Sequence, residues 1–130
     1  MIQIYWPATM GEWLAFSSAA ITVIFGLLLL LFPRWSLRLL RLQTLPGVPE
    51  AVSEARGTMA GFYLGTGVLC ILFAQPFLYM ALGASWIATA AGRALAMALD
   101  GANTPYNWIS LPIELALGVL PLAFALGYLA

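Results

Sequence analysis

Three ionisable residues sit where their charge could do chemistry: Glu54 just before the second of four apolar segments, Arg93 late in the third, and Glu114 inside the fourth, with Arg56 and Asp100 nearby. A charge placed in hydrocarbon costs at least about 2.5 to 3.5 kcal/mol, so groups at such depth pair with one another or face a hydrated interior. Arg93 has two candidate acids. The order of the segments points to a polar clasp at one end of a helical bundle, in which Arg93 bridges to Glu114 and to Glu54. Such a clasp fixes helix register. With Thr58, Ser85, Thr89 and Ser110 supplying hydroxyls, the same residues would also suit a ligand or proton site.

What the chain lacks narrows the chemistry further. It has no His and no Lys, hence no imidazole for haem, zinc, copper or di-iron ligation and none for a Ser-His-Asp or Cys-His nucleophile. Cys70 is the single cysteine, so no internal disulfide can form, and it reads as a small buried apolar residue. Of the 130 residues, 63% are hydrophobic and 8% charged, whereas soluble domains carry about 25% charged residues. This excludes an ordinary soluble enzyme, and five Arg balanced by five acids exclude a nucleic-acid binder.

The elements that must position these groups are read from gaps between charges. Residues 13–33, 57–92 and 115–130 contain none. A helix needs about 20 apolar residues to cross a hydrocarbon core of roughly 30 Å, so Trp13 to Phe32 makes one span, closed by Pro33 and Arg34. The stretch Gly57 to Gly92 would make a helix of about 54 Å, too long for one crossing. With Gln75-Pro76 near its middle it divides into spans at about 57–74 and 77–98. A fourth span covers about 108–128, with Pro112 in its first turn and Pro121 inside it, where a kink is expected. The expected fold is an all-α integral membrane four-helix bundle, a single domain over 1–130, with a short interfacial amphipathic helix at about 34–45 between the first two spans.

Orientation follows from arginine. Arg34, Arg38, Arg41 and Arg56 lie in the first loop, and Arg93 lies near the end of the third span, on the same side. The positive-inside rule puts this side in the cytoplasm and both chain ends on the opposite, periplasmic face. Met1 to Gly11 lacks the basic stretch and small-residue cleavage site of a removable signal peptide, so the first span is expected to be a retained anchor. In the interfacial helix, Arg34, Arg38 and Arg41 share one face and are expected to contact lipid headgroups. Two ladders of small residues recur at every fourth position, Gly57, Gly61 and Gly65 in the second span and Ala84, Ala88, Gly92 and Ala96 in the third. They are expected to face each other as a helix-packing seam within the bundle; the alternative is a seam that meets a second copy or a partner.

The run Glu54-Ala55-Arg56-Gly57, Gly61, Leu64-Gly65-Thr66-Gly67, Gly92-Arg93-Ala94-Leu95, Leu99-Asp100-Gly101 and Glu114-Leu115 resembles a bacterial family of small four-helix inner-membrane proteins of unknown function in the DoxD-like group. The resemblance covers about residues 15–128. It implies a bundle with no established activity and no known cofactor, with Glu54, Arg56, Gly57, Gly92, Arg93, Asp100 and Glu114 as recurrent positions. Three functions remain to be weighed. A non-catalytic accessory subunit bound laterally to a larger respiratory or photosynthetic complex is favoured by the near absence of mass outside the membrane. A small oligomeric transporter using Arg93 and Glu114 is the alternative. A quinone-linked enzyme ranks last, since Cys70 has no partner for dithiol chemistry. Expected partners are membrane lipids and that larger complex; no cofactor is expected beyond lipid, quinone or carotenoid on the apolar outer faces.

Overall fold

A computed structural model describes residues 5–130; the expectation for Met1 to Gly11 falls in part on residues 1–4, outside the described residues. The described chain is all helical: α1 (Met10–Leu31), α2 (Pro33–Leu39), α3 (Glu50–Phe73), α4 (Pro76–Leu99) and α5 (Pro105–Ala125). Four of the five, all but α2, are long and apolar enough to cross a membrane.

Local chemistry sets the ends. Thr9 caps α1: its hydroxyl accepts from the Glu12 N–H at 3.2 Å, while the Glu12 carboxylate accepts from the Ala8 N–H at 2.7 Å, a reciprocal arrangement that satisfies two free donors. Prolines open α2, α4 and α5 at their first position, where a missing N–H costs nothing. The second long helix starts at Glu50 rather than Gly57, directly after Pro49. The last starts at Pro105 rather than Trp108, so Pro112 lies in its interior instead of its first turn.

The interfacial helix is shorter than the expected 34–45. Arg41 takes a left-handed conformation with φ 61, and the Leu42 N–H reaches back to the Leu37 carbonyl at 2.8 Å while the Arg41 N–H reaches that of Arg38 at 3.1 Å. This closing pattern ends a helix and usually has glycine where Arg41 stands. Arg41 lies past the end of α2 and still lines one surface pocket with Arg34 and Arg38.

Within α3, residues Ala55–Met59 form one π-turn, in which the Ala60 N–H bonds to the Ala55 carbonyl. The extra residue in the turn brings both Ala55 and Ala60, each 0% exposed, into one cluster with Leu29 of α1 and Leu37 of α2. This is how α2 is seated on the bundle.

The small-residue ladders do not form the expected seam. The bundle is built from α1 packed along α3 and α4 packed along α5, with α1 also meeting α5; α3 and α4 touch little. A Cβ at Gly57, Gly61, Gly65 or Gly92 would meet nothing within 4 Å, and Ala84 and Ala88 are exposed, with Ala96 half-buried. Other glycines make the close approaches. A Cβ at Gly67 would lie 2.7 Å from Val23 Cγ2, and one at Gly83 would lie 2.6 Å from the Gly118 carbonyl oxygen. Helices in lipid associate through such close van der Waals contact rather than water expulsion.

Buried polar groups tie α1, α4 and α5 together. Pro121 has no N–H to offer the Leu117 carbonyl one turn earlier, and the Ser18 hydroxyl of α1 donates to that carbonyl instead, at 2.6 Å. Thr22 donates to the Ser18 carbonyl at 2.8 Å and accepts from Trp86 Nε1 at 2.9 Å. Trp86, 5% exposed, thus has its one donor satisfied inside the core.

Candidate polar site

Two facing helical stripes build the site. On α4, Trp86, Thr89 and Arg93 recur at three- and four-residue spacing; on α5, Asn107, Ser110 and Glu114 do the same. Thr104 sets the start of the second stripe: its hydroxyl accepts from the Asn107 N–H at 3.3 Å, with Pro105 between them. Arg93 lies six residues before the end of α4 and Glu114 nine after the start of α5, so both stand roughly 9 to 14 Å inside the helix ends.

The guanidinium is fully engaged on its inner side. Its Nε lies 2.9 Å and 2.8 Å from the two Glu114 carboxylate oxygens, and Nη2 lies 2.5 Å from Oε1. Nη1 donates to the Asn107 side-chain oxygen at 2.6 Å, and the Asn107 amide donates in turn to the Ala102 carbonyl at 2.8 Å. Glu114 is buried at 6% exposure, which Arg93 makes tolerable by neutralising it, since an unpaired buried charge is costly. The planar fork of arginine suits this multiple contact in a way lysine could not.

Tyr106 extends the site to the interfacial loop. The Arg93 guanidinium carbon lies 5.7 Å from the Tyr106 ring centroid, and that of Arg41 lies 5.9 Å from it. Cation–π attraction of this kind is worth about 0.5 to 1 kcal/mol at partly exposed sites, which offsets part of the roughly 1 to 2 kcal/mol cost of the left-handed backbone at Arg41. Arg41, exposed like Arg34 and Arg38 and lining one surface pocket with them, thus also reaches the edge of this site.

Of the residues expected in the clasp, the structure brings Arg93 and Glu114 together and leaves the others out. Glu54 is exposed, and its carboxylate accepts from Thr58 on its own helix at 2.8 Å. Arg56 and Asp100 are exposed, and Arg93–Glu114 is the ion pair found among the described residues. Thr89 and Ser110 point their hydroxyls at carbonyls one turn back on their own helices. Sequence reasoning missed Asn107, Tyr106 and Tyr63. Asn107 carried a readable signal, since it stands seven residues before Glu114 and three after a Thr-Pro cap; the tyrosines carried none. No group of three His, Cys, Asp or Glu that could hold a metal occurs among the described residues.

Among the described residues these features define a class: an all-helical protein with four membrane-length helices, a short helix between the first two, and one part-buried ion pair. The chain belongs to the family described as "Domain of unknown function (DUF4345)", whose profile matches residues 11–125. No curated protein and no solved structure matches it.

Proposed function

We propose that the protein is a non-catalytic accessory subunit that binds laterally to a larger membrane assembly, respiratory or photosynthetic, in a bacterial inner membrane, as the DoxD-like resemblance suggests. The Arg-rich end lies in the cytoplasm and both ends of the chain face the periplasm, in keeping with the positive-inside rule.

The observation that carries this reading is the unused small-residue surface of α3 and α4. Exposed positions on α1 and α5 carry bulky groups such as Ile24, Leu27, Leu31, Ile109, Ile113 and Val119. Those on α3 and α4 carry bulky groups too, Phe62, Leu69 and Leu95 among them, and also exposed small residues at every fourth position, Gly57, Gly61 and Gly65 on one helix and Ala84, Ala88 and Gly92 on the other. Lipid chains make no demand for small residues, whereas another helix does, because small residues let two backbones approach. Tagged at its native locus and purified in mild detergent, the protein should travel with one complex at fixed stoichiometry. Migration alone at its own small size would contradict the proposal.

A second reading, a small oligomeric transporter, is favoured by the depth of the Arg93–Glu114 pair, since intramembrane ionisable groups mark ion and proton routes. It requires that Glu114→Gln abolish a flux while the protein stays folded.

A further inference from the structure

A cavity of about 290 Å³ lies between α2 and the bundle, beside the Arg93–Glu114 pair. This is near the lower edge of the roughly 300 to 1,000 Å³ of small-molecule sites. Its polar end is made by Arg93, Glu114, Tyr63 and Tyr106. Its wall is aromatic, with Trp86 5.7 Å from the Tyr63 ring and 6.0 Å from that of Phe25. Trp35 and Ile113, both exposed, stand on its rim.

The charge of the polar end decides which head it suits. Arg93 and Glu114 cancel, and the guanidinium is already engaged by Glu114 and Asn107. An anionic head brought to Arg93 would meet the Glu114 carboxylate at similar range, and a cationic head brought to Glu114 would meet Arg93. The Tyr63 and Tyr106 hydroxyls make no hydrogen bond among the described residues, and since no buried polar atom there is left unpaired, both open onto accessible space. Each can donate one proton to an acceptor.

We infer that this cavity binds an uncharged amphiphile whose head offers carbonyl oxygens to Tyr63 and Tyr106 and whose apolar tail leaves past Trp35 and Ile113 into the bilayer. An acylglycerol and a tailed quinone share that chemistry. The site lies within one chain and does not depend on the docking surface of α3 and α4.

The test uses the purified full chain in detergent, titrated with monolauroylglycerol, a decyl-tailed benzoquinone, laurate and dodecylamine, with bound mass read by native mass spectrometry. One or both uncharged probes should bind saturably at one per chain, and which of them does identifies the source. Tyr63→Phe with Tyr106→Phe keeps both rings and should weaken that binding about tenfold. Ser110→Phe, which fills the cavity, should remove it. Equal binding of laurate or dodecylamine, binding unchanged in the double tyrosine variant, or no saturable binding of either uncharged probe would overturn the inference.

Discussion

The Ser18 hydroxyl of α1 donates, at 2.6 Å, to the Leu117 carbonyl of α5, the carbonyl that Pro121 leaves without its helical donor. Removing the hydroxyl should therefore cost more when the proline is present. Ser18→Ala should destabilise the protein by about 1 kcal/mol. In a Pro121→Ala background, where the backbone N–H is restored, the same change should cost less, and a double-mutant cycle in detergent unfolding measures the difference. A purely additive cycle would mean that the two helices do not share this bond.

Arg93 and Arg38 separate a buried charge from an exposed one. Arg93→Leu leaves Glu114 buried without its partner and should lower stability by roughly 3 kcal/mol. Arg38 is exposed and has no ion-pair partner among the described residues, so Arg38→Leu should change stability by less than about 0.5 kcal/mol. Thermal unfolding of the two variants in one detergent compares them directly.

The glycines sort into two kinds by what a side chain would meet. Gly83 and Gly118 face each other's backbone across α4 and α5, so Gly83→Leu should destabilise the bundle by about 3 kcal/mol or more. Gly61 faces open space, and Gly61→Leu should leave the thermal midpoint of the isolated protein unchanged.

Cys70 is 0% exposed and packed with Ala15, Ala19 and Tyr79. It should resist a maleimide in the folded, detergent-solubilised protein and react only after unfolding. Rapid labelling of the folded state would show that α1 and α3 separate at this depth.

Much of the architecture was legible because its signals are local. Gaps between charges located the four long helices, and Pro33 and Pro76 mark boundaries that backbone chemistry enforces, whereas the Thr104-Pro105 cap went unread and the last helix was expected to start only at Trp108. Glu114 was legible as one of two acids for Arg93; Glu54 was excluded only by the three-dimensional path of α3, which keeps it one turn from Thr58 and away from α4. Which side of α3 faces inward was not legible, because in lipid the outer side is as apolar as the inner. Gly57, Gly61 and Gly65 have the spacing of a packing seam on whichever side they lie. The π-turn at Ala55–Met59 and the left-handed Arg41 were hidden for another reason. Both are held by tertiary contacts, Ala55 and Ala60 against Leu29 and Leu37 in one case and Arg41 against Tyr106 in the other; Arg41 leaves no glycine or proline to read, and Gly57 inside the π-turn reads equally well as one rung of the Gly57, Gly61, Gly65 ladder.

The most direct test of the account is the size and stoichiometry of the particle that carries this protein in mild detergent, measured for the wild type and for Gly61→Leu expressed from the native locus. The wild type should migrate within a larger complex at fixed stoichiometry, and Gly61→Leu, equally stable by itself, should migrate free. If both migrate alone at 14.0 kDa plus detergent, or if Gly61→Leu remains in the complex at full occupancy, the open face of α3 and α4 is not where this protein meets its partner.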